Sequence, residues 1–510
     1  MKANRSRHRI DVDVEELDRM IDATENGPLS RADRQKLKTT LHALLERLAR
    51  KRNTEKTSAV LEPKAPTAAA TAPEAQKPAP AGHGRNGAAA FTGANRMAVA
   101  HDTLHAGDSC PVCEEGKVYR QKEPATLIRI IGQAPLQATV YEMERLRCNA
   151  CGEVFTANPP QSAGPEKFDA TAVAMIALLK YGTGMPFHRI ERLEAQLGMP
   201  LPAATQWELM EAAVKQLKRL LNEFIRQAAQ GSVIHNDDTS MRVLKLVRST
   251  DDERTGVFTS GIVSICAGGW KIALYFTGWK HAGENLADVL KQRAAESEAP
   301  IQMCDALSRN SPRLIETLLA NCLAHGRRQF TEVADSFPDE CRHVLESLGA
   351  VYGFDAEAKE RCLTAEERLT FHQRHSAPMM EDLRQWMEAQ LAEHKTEPNS
   401  GLGKAISYLL RHWVKLTLFL RQAGAPLDNN IVERALKKAI LHRKNALFYK
   451  TMNGARVGDL FMSLIHTCEL NRVNPFDYLT ELLRHPAEAA VRPAEWMPWN
   501  YRPDAAGMAA

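Results

Sequence analysis

The run from Gly231 to Arg328 constrains this chain most, because strand-like and helix-like pieces alternate there in an order that few architectures accept. Three β-prone pieces come first: Gly231-Ser-Val-Ile-His-Asn-Asp-Asp-Thr239 with Met241 to Val247, then Thr255 to Cys266, then Trp270 to Phe276. They predict an antiparallel meander. A helix from about Ala282 to Arg293 leads to Pro300-Ile-Gln-Met-Cys-Asp305, a fourth strand ending in a lone acid. After another helix, Asn321-Cys-Leu-Ala predicts a fifth strand, and His325-Gly-Arg-Arg328 opens a further helix. Asp is depleted from strands, so Asp237 and Asp238 on the first strand and Asp305 at the end of the fourth ask for a reason.

Three strands, helix, strand, helix, strand is the order of a ribonuclease-H-like core. There the first and fourth strands lie side by side and bring their acids within metal-sharing distance. Two divalent ions about 3.5–4 Å apart activate an attacking oxygen and stabilise a leaving one in phosphoryl transfer. Hard cations take oxygen ligands, which carboxylates supply. The plainer alternatives are a solvent-facing strand end for Asp237 and Asp238, and a helix cap for Asp305. A third acid stands far downstream, in Asp428 to Phe448. Val432, Ala435, Leu436, Ala439 and Ile440 recur there at helical spacing, so one side of this helix packs inward. Glu433 is either the third helical residue of a capping box led by Asn430, or a metal-binding carboxylate. Its basic neighbours Arg434, Lys437, Lys438, Arg443 and Lys444 suit a polyanion.

Cys110-Pro-Val-Cys113 and Cys148-Asn-Ala-Cys151 are two CxxC pairs separated by 34 residues. Each such turn presents two sulfurs to one ion, so the four complete a tetrahedral zinc site. Four thiolates leave no open position, which makes this zinc structural. Thr126 to Ile131 and Ala138 to Tyr141 are β-prone, as a zinc ribbon requires. The ribbon binds either DNA or a protein surface. The other six of the ten cysteines are scattered, which argues for a reducing compartment. No apolar run approaches the roughly 20 residues that span a bilayer.

The ends are helical or unstructured. Leu37, Leu41, Leu44, Leu45 and Leu48 make an apolar seam on a basic amino-terminal helix, which is a short coiled coil, a DNA-contacting arm or a small helical hairpin with a solvated charged face. From Glu55 to about Ala100, alanine, proline and glycine dominate, and the segment reads as a flexible linker. Helices over Asp169 to Tyr181, Pro186 to Leu197 and Ala203 to Ala229 follow the ribbon. The last two are either a helix-turn-helix, with Thr205, Gln206 and Glu208 facing a groove, or ordinary packed helices. The fold class expected is thus α/β plus all-α. Its parts are a basic helical arm (1–54), linker (55–100), zinc ribbon (101–160), helical domain (161–230) and first core part (231–335). A helical insertion (336–425), a segment completing the core (426–450) and a carboxy-terminal helical region (451–510) follow.

Several motifs, taken together, resemble the insertion-sequence-66 family of bacterial DDE transposases. They are CPVC…CNAC, HNDDT followed by VL, CLAHGRRQF, LGKAISYLLRHW, LDNNIVERA, HRKNALF and NRVNPFDYL, from Cys110 to about Tyr478. The resemblance implies Asp237, Asp305 and Glu433 as catalytic acids holding Mg²⁺ (or Mn²⁺), and selects Asp237 over Asp238. At the second acid the family commonly shows Asp-Gly-Tyr, where this chain has Asp305-Ala306-Leu307. The function implied is metal-dependent cleavage and strand transfer of an insertion sequence. The alternatives are a DNA-binding regulator of transposase descent that no longer cleaves, or a nuclease that cuts without joining. Arg327, Arg328, Lys437, Lys438, Arg443 and Lys444 are candidate phosphate contacts, which position a strand without reading its sequence. The implied partners are element ends, target DNA, a second copy of the chain and accessory proteins of the same element, with no membrane. The implied location is the bacterial cytoplasm, at the nucleoid when DNA-bound.

Overall fold

The computed structural model describes residues 88–90 and 96–500, except 114, 122–124, 129, 131–132, 148, 150, 152, 247–253, 255 and 314. The amino-terminal arm and most of the linker expected before residue 100 lie outside the described residues. A five-stranded mixed sheet organises the rest. It is built from β3 (Val233–Met241), β5 (Val257–Ile265), β6 (Lys271–Gly278), β7 (Ile301–Cys304) and β8 (Leu318–Asn321), in the spatial order β6-β5-β3-β7-β8. The meander β3-β5-β6 is antiparallel, while β7 and β8 run parallel to β3. Two further strands, β1 (Arg145–Arg147) and β2 (Val154–Thr156), form a separate hairpin.

Three predicted pieces differ. The fifth strand ends at Asn321, and Cys322 caps the helix that the sequence placed later. The helix expected between the fourth and fifth strands is replaced, among the described residues, by one 3-10 turn, Ser308–Asn310. Pro312 lacks the N–H that a helix would need there. The piece from Met241 to Val247 also leaves the meander: β4 (Val243–Lys245) pairs in parallel with β9 (Tyr449–Thr451), 200 residues on.

Helices cover both faces. Before the sheet come α1 (Ala170–Ala177), α2 (Phe187–Gln196) and α3 (Ala203–Ala228). Gln206, which would face a groove if these helices were a helix-turn-helix, is fully buried and donates to Phe187 O and Leu201 O, so it braces α3 against α2 as ordinary helix packing does. Helix α4 (Ala282–Leu290) crosses between β6 and β7, and α5 (Leu323–Val333) follows β8. Three long helices, α6 (Pro338–Glu360), α7 (Ala365–Ala392) and α8 (Gly401–Leu416), occupy most of the expected insertion. They carry their own apolar core around Leu345, Leu383 and Ile406, continuous with β7 and α5 through Met303 and Phe330. Gly326 lets α5 touch α8, because a Cβ there would lie 2.4 Å from Leu409 Cδ2.

After α9 (Asn430–Ala446), the buried helix α10 (Met452–Leu470) runs along the edge strand β6. Asp459, Ser463, Thr467 and Asn471 stand four residues apart, and they accept the N–H groups of Thr277, Tyr275, Ala273 and Lys271, two residues apart. Four helical residues rise about 6 Å and two strand residues about 6.7 Å, so the two spacings match closely enough for a ladder. The sheet edge, which would otherwise expose a row of donors, is closed by side chains. Helices α11 (Pro475–Arg484) and α12 (Pro486–Val491) complete the chain's described part. Among the described residues no helix is long and apolar enough to cross a membrane.

Candidate active site

Strand register decides where the first two acids go. Val233, Ile234 and His235 pair in parallel with Ile301, Gln302 and Met303. Asp237 and Asp305 each lie two residues beyond the last of these pairs, at the same end of neighbouring strands. The Asn310 amide, on the 3-10 turn, bridges them: Nδ2 donates to Asp305 Oδ1 and lies 3.5 Å from Asp237 Oδ1. Asn310 is itself buried and held from behind, where Asn236 Nδ2 and Gln302 Nε2 both donate to its carbonyl. Thr317 and Asn236 complete this network around Gln302.

Asp238, one residue on, points to the opposite face. Its side chain is 1% exposed, 2.8 Å from His281 Nδ1 and 3.4 Å from Arg309 Nη2, at the start of α4. The two adjacent acids are therefore separated by strand alternation, with Asp238 tied into the α4 side.

Glu433 is brought to the Asp237 face by a helix clamped at both ends. Asp237 pairs across the sheet with Gly261, so both face α9. A Cβ on Gly261 would lie 2.9 Å from Leu436 Cδ2 and 3.3 Å from Val432 Cγ2. The bare glycine lets α9 lie close against the strand beside Asp237. At the amino end, buried Asn429 bonds His235 Nδ1 through Oδ1 (3.0 Å) and donates Nδ2 to Asn236 O (3.1 Å). At the other end Arg443 donates to Thr239 Oγ1, Ser240 Oγ and Ser240 O, and β9 pairs with β4.

The capping box weighed for this helix does not form. Asn429, not Asn430, is the cap residue, and its side chain makes no cap hydrogen bond because it reaches β3. Asp428 Oδ1 instead accepts from Asn430 N at 3.1 Å. The Glu433 carboxylate is thus released from capping, and its buried Oε1 has no hydrogen-bond partner.

Electrostatics couple the acids. Burial first, then the Asp305 carboxylate, with Asp238 and Glu433 adding, push the Asp237 carboxyl up to about 7; the Asp238 N–H works the other way. The three are not equally close. Among the described residues, the group of three or more His, Cys, Asp or Glu whose possible donor atoms all lie within 4.8 Å of one another is Cys322, His325 and Glu433. Glu433 thus stands between the Asp237–Asp305 pair and a Cys-His pair on α5 that the sequence reading left unassigned. CxxH spacing at a helix start is the signal that could have found it. A cleft of about 260 Å³ opens beside Asp305, lined by His325, Arg328, Gln329, Glu332 and Tyr408 among others.

The six basic residues divide. Lys437 and Lys444 are exposed on α9, and Arg327 and Arg328 are half-buried on α5. Lys438 is held by Glu469 at 2.8 Å with its side chain 13% exposed, and Arg443 is committed to β3. These last two, expected as phosphate contacts, are bound within the fold.

In the four-cysteine module, Cys148 lies outside the described residues. Cys110 N donates to Gly116 O, and Ser109 bridges Lys117, closing a turn around Cys110 and Cys113. The N–H groups of Gly116 and Glu115, then the Cys110 thiol, draw the Cys113 thiol below its usual value. The β1–β2 hairpin brackets the second CxxC, whose Cys151 is exposed.

Two uncharacterized proteins of Sinorhizobium fredii are similar along most of their length. One, y4jD, is 28% identical over 79% of this chain and 80% of its own. The other, y4hP, is 25% identical over 77% and 73%. The family described as Transposase IS66 family matches residues 166–457, which span the sheet, all three acids and the helices between them. Matched over more than half its length, the chain belongs to the IS66 family of transposases.

Proposed function

We propose that this protein is a DDE transposase that cuts and joins DNA at the ends of an insertion sequence, with Asp237, Asp305 and Glu433 as its catalytic acids. The observation that carries this reading is the meeting of Asp237 and Asp305 on the Asn310 amide, at one end of two adjacent parallel strands. The spatial order β6-β5-β3-β7-β8 supports a ribonuclease-H-like core, with α6 to α8 as its insertion. On this reading the ribbon, the arm and the helical region before residue 231 recognise element ends, and two copies of the chain hold two ends together in the cytoplasm.

The residues present fit divalent metal. Like-charged carboxylates converge, and burial first, then the neighbouring acids, push Asp237 up. A bound Mg²⁺ or Mn²⁺ pair would lower the pKa of an attacking oxygen and offset charge on the leaving one. Asp237, Asp305 and Glu433 would be the residues that hold it. Asn310 fixes the rotamers of the two aspartates, and Asn429 fixes the depth of α9. Arg327, Arg328, Lys437 and Lys444 would hold the phosphate backbone, while Lys438 and Arg443 hold the helix that presents them. Cys110, Cys113, Cys148 and Cys151 would hold a structural zinc, since N–H groups aimed at a sulfur favour the thiolate that zinc needs.

The test is incubation of the full-length protein with labelled element ends, target plasmid and Mg²⁺. Nicked ends and joined products, both lost in Asp237→Asn, support the proposal. Binding without nicking would make this chain a regulator, and cutting without joining would make it a nuclease.

A further inference from the structure

Cys322 caps α5 and His325 lies one turn inside it, so CxxH spacing points both side chains the same way. Glu433 meets them from the first turn of α9. We propose that Cys322, His325 and Glu433 form a separate zinc site of mixed sulfur, nitrogen and oxygen donors. It is distinct from the four-cysteine ribbon and shares only Glu433 with the proposed catalytic pocket.

Four observations carry it. The three donor atoms lie within 4.8 Å of one another. His325 Nδ1 and Glu433 Oε1 stand 3.7 Å apart. That is close to the donor–donor edge of about 3.3–3.8 Å that tetrahedral zinc bond lengths imply. Both of these atoms are buried with no hydrogen-bond partner, a desolvation cost that a shared cation removes. Finally, the backbone is arranged around the sulfur: Asn429 N donates to Cys322 Sγ at 3.2 Å. The amino ends of α5 and α9 converge there; burial still pushes the free Cys322 thiol up to about 12, so the metal itself must displace its proton.

The donor set selects the ion. Thiolate and imidazole suit Zn²⁺ and disfavour Mg²⁺, which prefers six oxygens. Cys322 is fully buried, so its thiol gives up a proton to solvent when it takes the metal. Three protein donors leave a fourth position for water or a substrate oxygen, as in zinc sites that stay open.

Cobalt is the probe, because a thiolate bound to Co²⁺ gives a ligand-to-metal charge-transfer band in the near ultraviolet. Full-length protein carrying Cys110→Ser and Cys113→Ser, which disables the ribbon, is titrated with Co²⁺ in the absence of DNA. One equivalent should produce the band, and Cys322→Ser added to that chain should abolish it. His325→Ala leaves the buried sulfur alone and should weaken Co²⁺ binding about 10-fold or more. Zinc content of the chain with its ribbon intact should fall by one equivalent in Cys322→Ser. No band in the ribbon-disabled chain, a band that survives Cys322→Ser, or unchanged affinity in His325→Ala overturns the proposal. Since no DNA is present, failure to nick DNA leaves this site standing, and loss of this site leaves the catalytic reading to its own assay.

Discussion

Replacing Asn429 by alanine tests how the third acid is positioned. The residue is fully buried and ties the start of α9 to β3 through two side-chain bonds, at 3.0 Å to His235 and 3.1 Å to Asn236 O. Alanine keeps the backbone bond to Cys322 Sγ and removes both of these. His235 is enclosed, and burial pushes its pKa down to about 4 against the pull of the Asn429 bond, so the ring is neutral near pH 7. In Asn429→Ala its Nδ1 and the Asn236 carbonyl each lose a partner they cannot replace with bulk water. At about 1–3 kcal/mol for each group, the loss is about 2–6 kcal/mol. Urea denaturation followed by tryptophan fluorescence measures it, and hydrogen exchange should show the first turn of α9 opening before the sheet. Metal-dependent nicking should fall even where the protein remains folded, because Glu433 is displaced. A stability loss below about 0.5 kcal/mol with full nicking would refute the idea that this side chain sets the depth of the helix.

Three further perturbations follow from the same geometry. Gly261→Ala should cost about 1–3 kcal/mol by forcing Leu436 and Val432 outward, read by thermal unfolding, and should reduce nicking with it. Burial pushes the Asp459 carboxyl up to about 7, with the Thr277 bonds opposing. The folded chain therefore holds an extra proton between about pH 4 and pH 7, and this stability, complete below the unfolded value, is lost as pH rises through that window. Asp459→Asn, always neutral, should flatten that part of the stability–pH curve, measured by denaturation at several pH values; an unchanged slope would contradict the assignment. Lys437→Ala and Lys444→Ala should each weaken DNA binding at all sequences and lower the salt slope by about 1. Arg443→Ala should instead lower stability by about 1–3 kcal/mol, because its guanidinium is spent on β3; anisotropy titrations at several salt concentrations separate the two.

Asp237 and Asp238 stood out because strand chemistry disfavours acids, whereas Asp305 follows its strand and stood out only as a lone acid at that strand's end. What surrounds them did not. Asn429 reads locally as a helix cap, and only the folded β3 shows that its side chain goes elsewhere. The pairing of β4 with β9 joins short pieces 200 residues apart, with no local periodicity to announce it. A helix was expected between Asp305 and Asn321, yet a 3-10 turn over Ser308–Asn310 stands there, and its Asn310 amide bridges two carboxylates. The polar series Asp459, Ser463, Thr467 and Asn471 was visible at four-residue spacing. Its meaning depended on an edge strand whose donors needed partners. Gln206 decides between two readings the sequence left open: its side chain braces two packed helices rather than facing a groove.

Manganese binding to the full-length protein, followed by the loss of the free Mn²⁺ electron paramagnetic signal, tests the gathering of the acids most directly. If Asp237, Asp305 and Glu433 share one pocket, Asp237→Asn, Asp305→Asn and Glu433→Gln each weaken the same binding, and pairing two of them adds little. Mn²⁺ affinity that is unchanged in Asp237→Asn, or losses that add independently across the three, would contradict a common site.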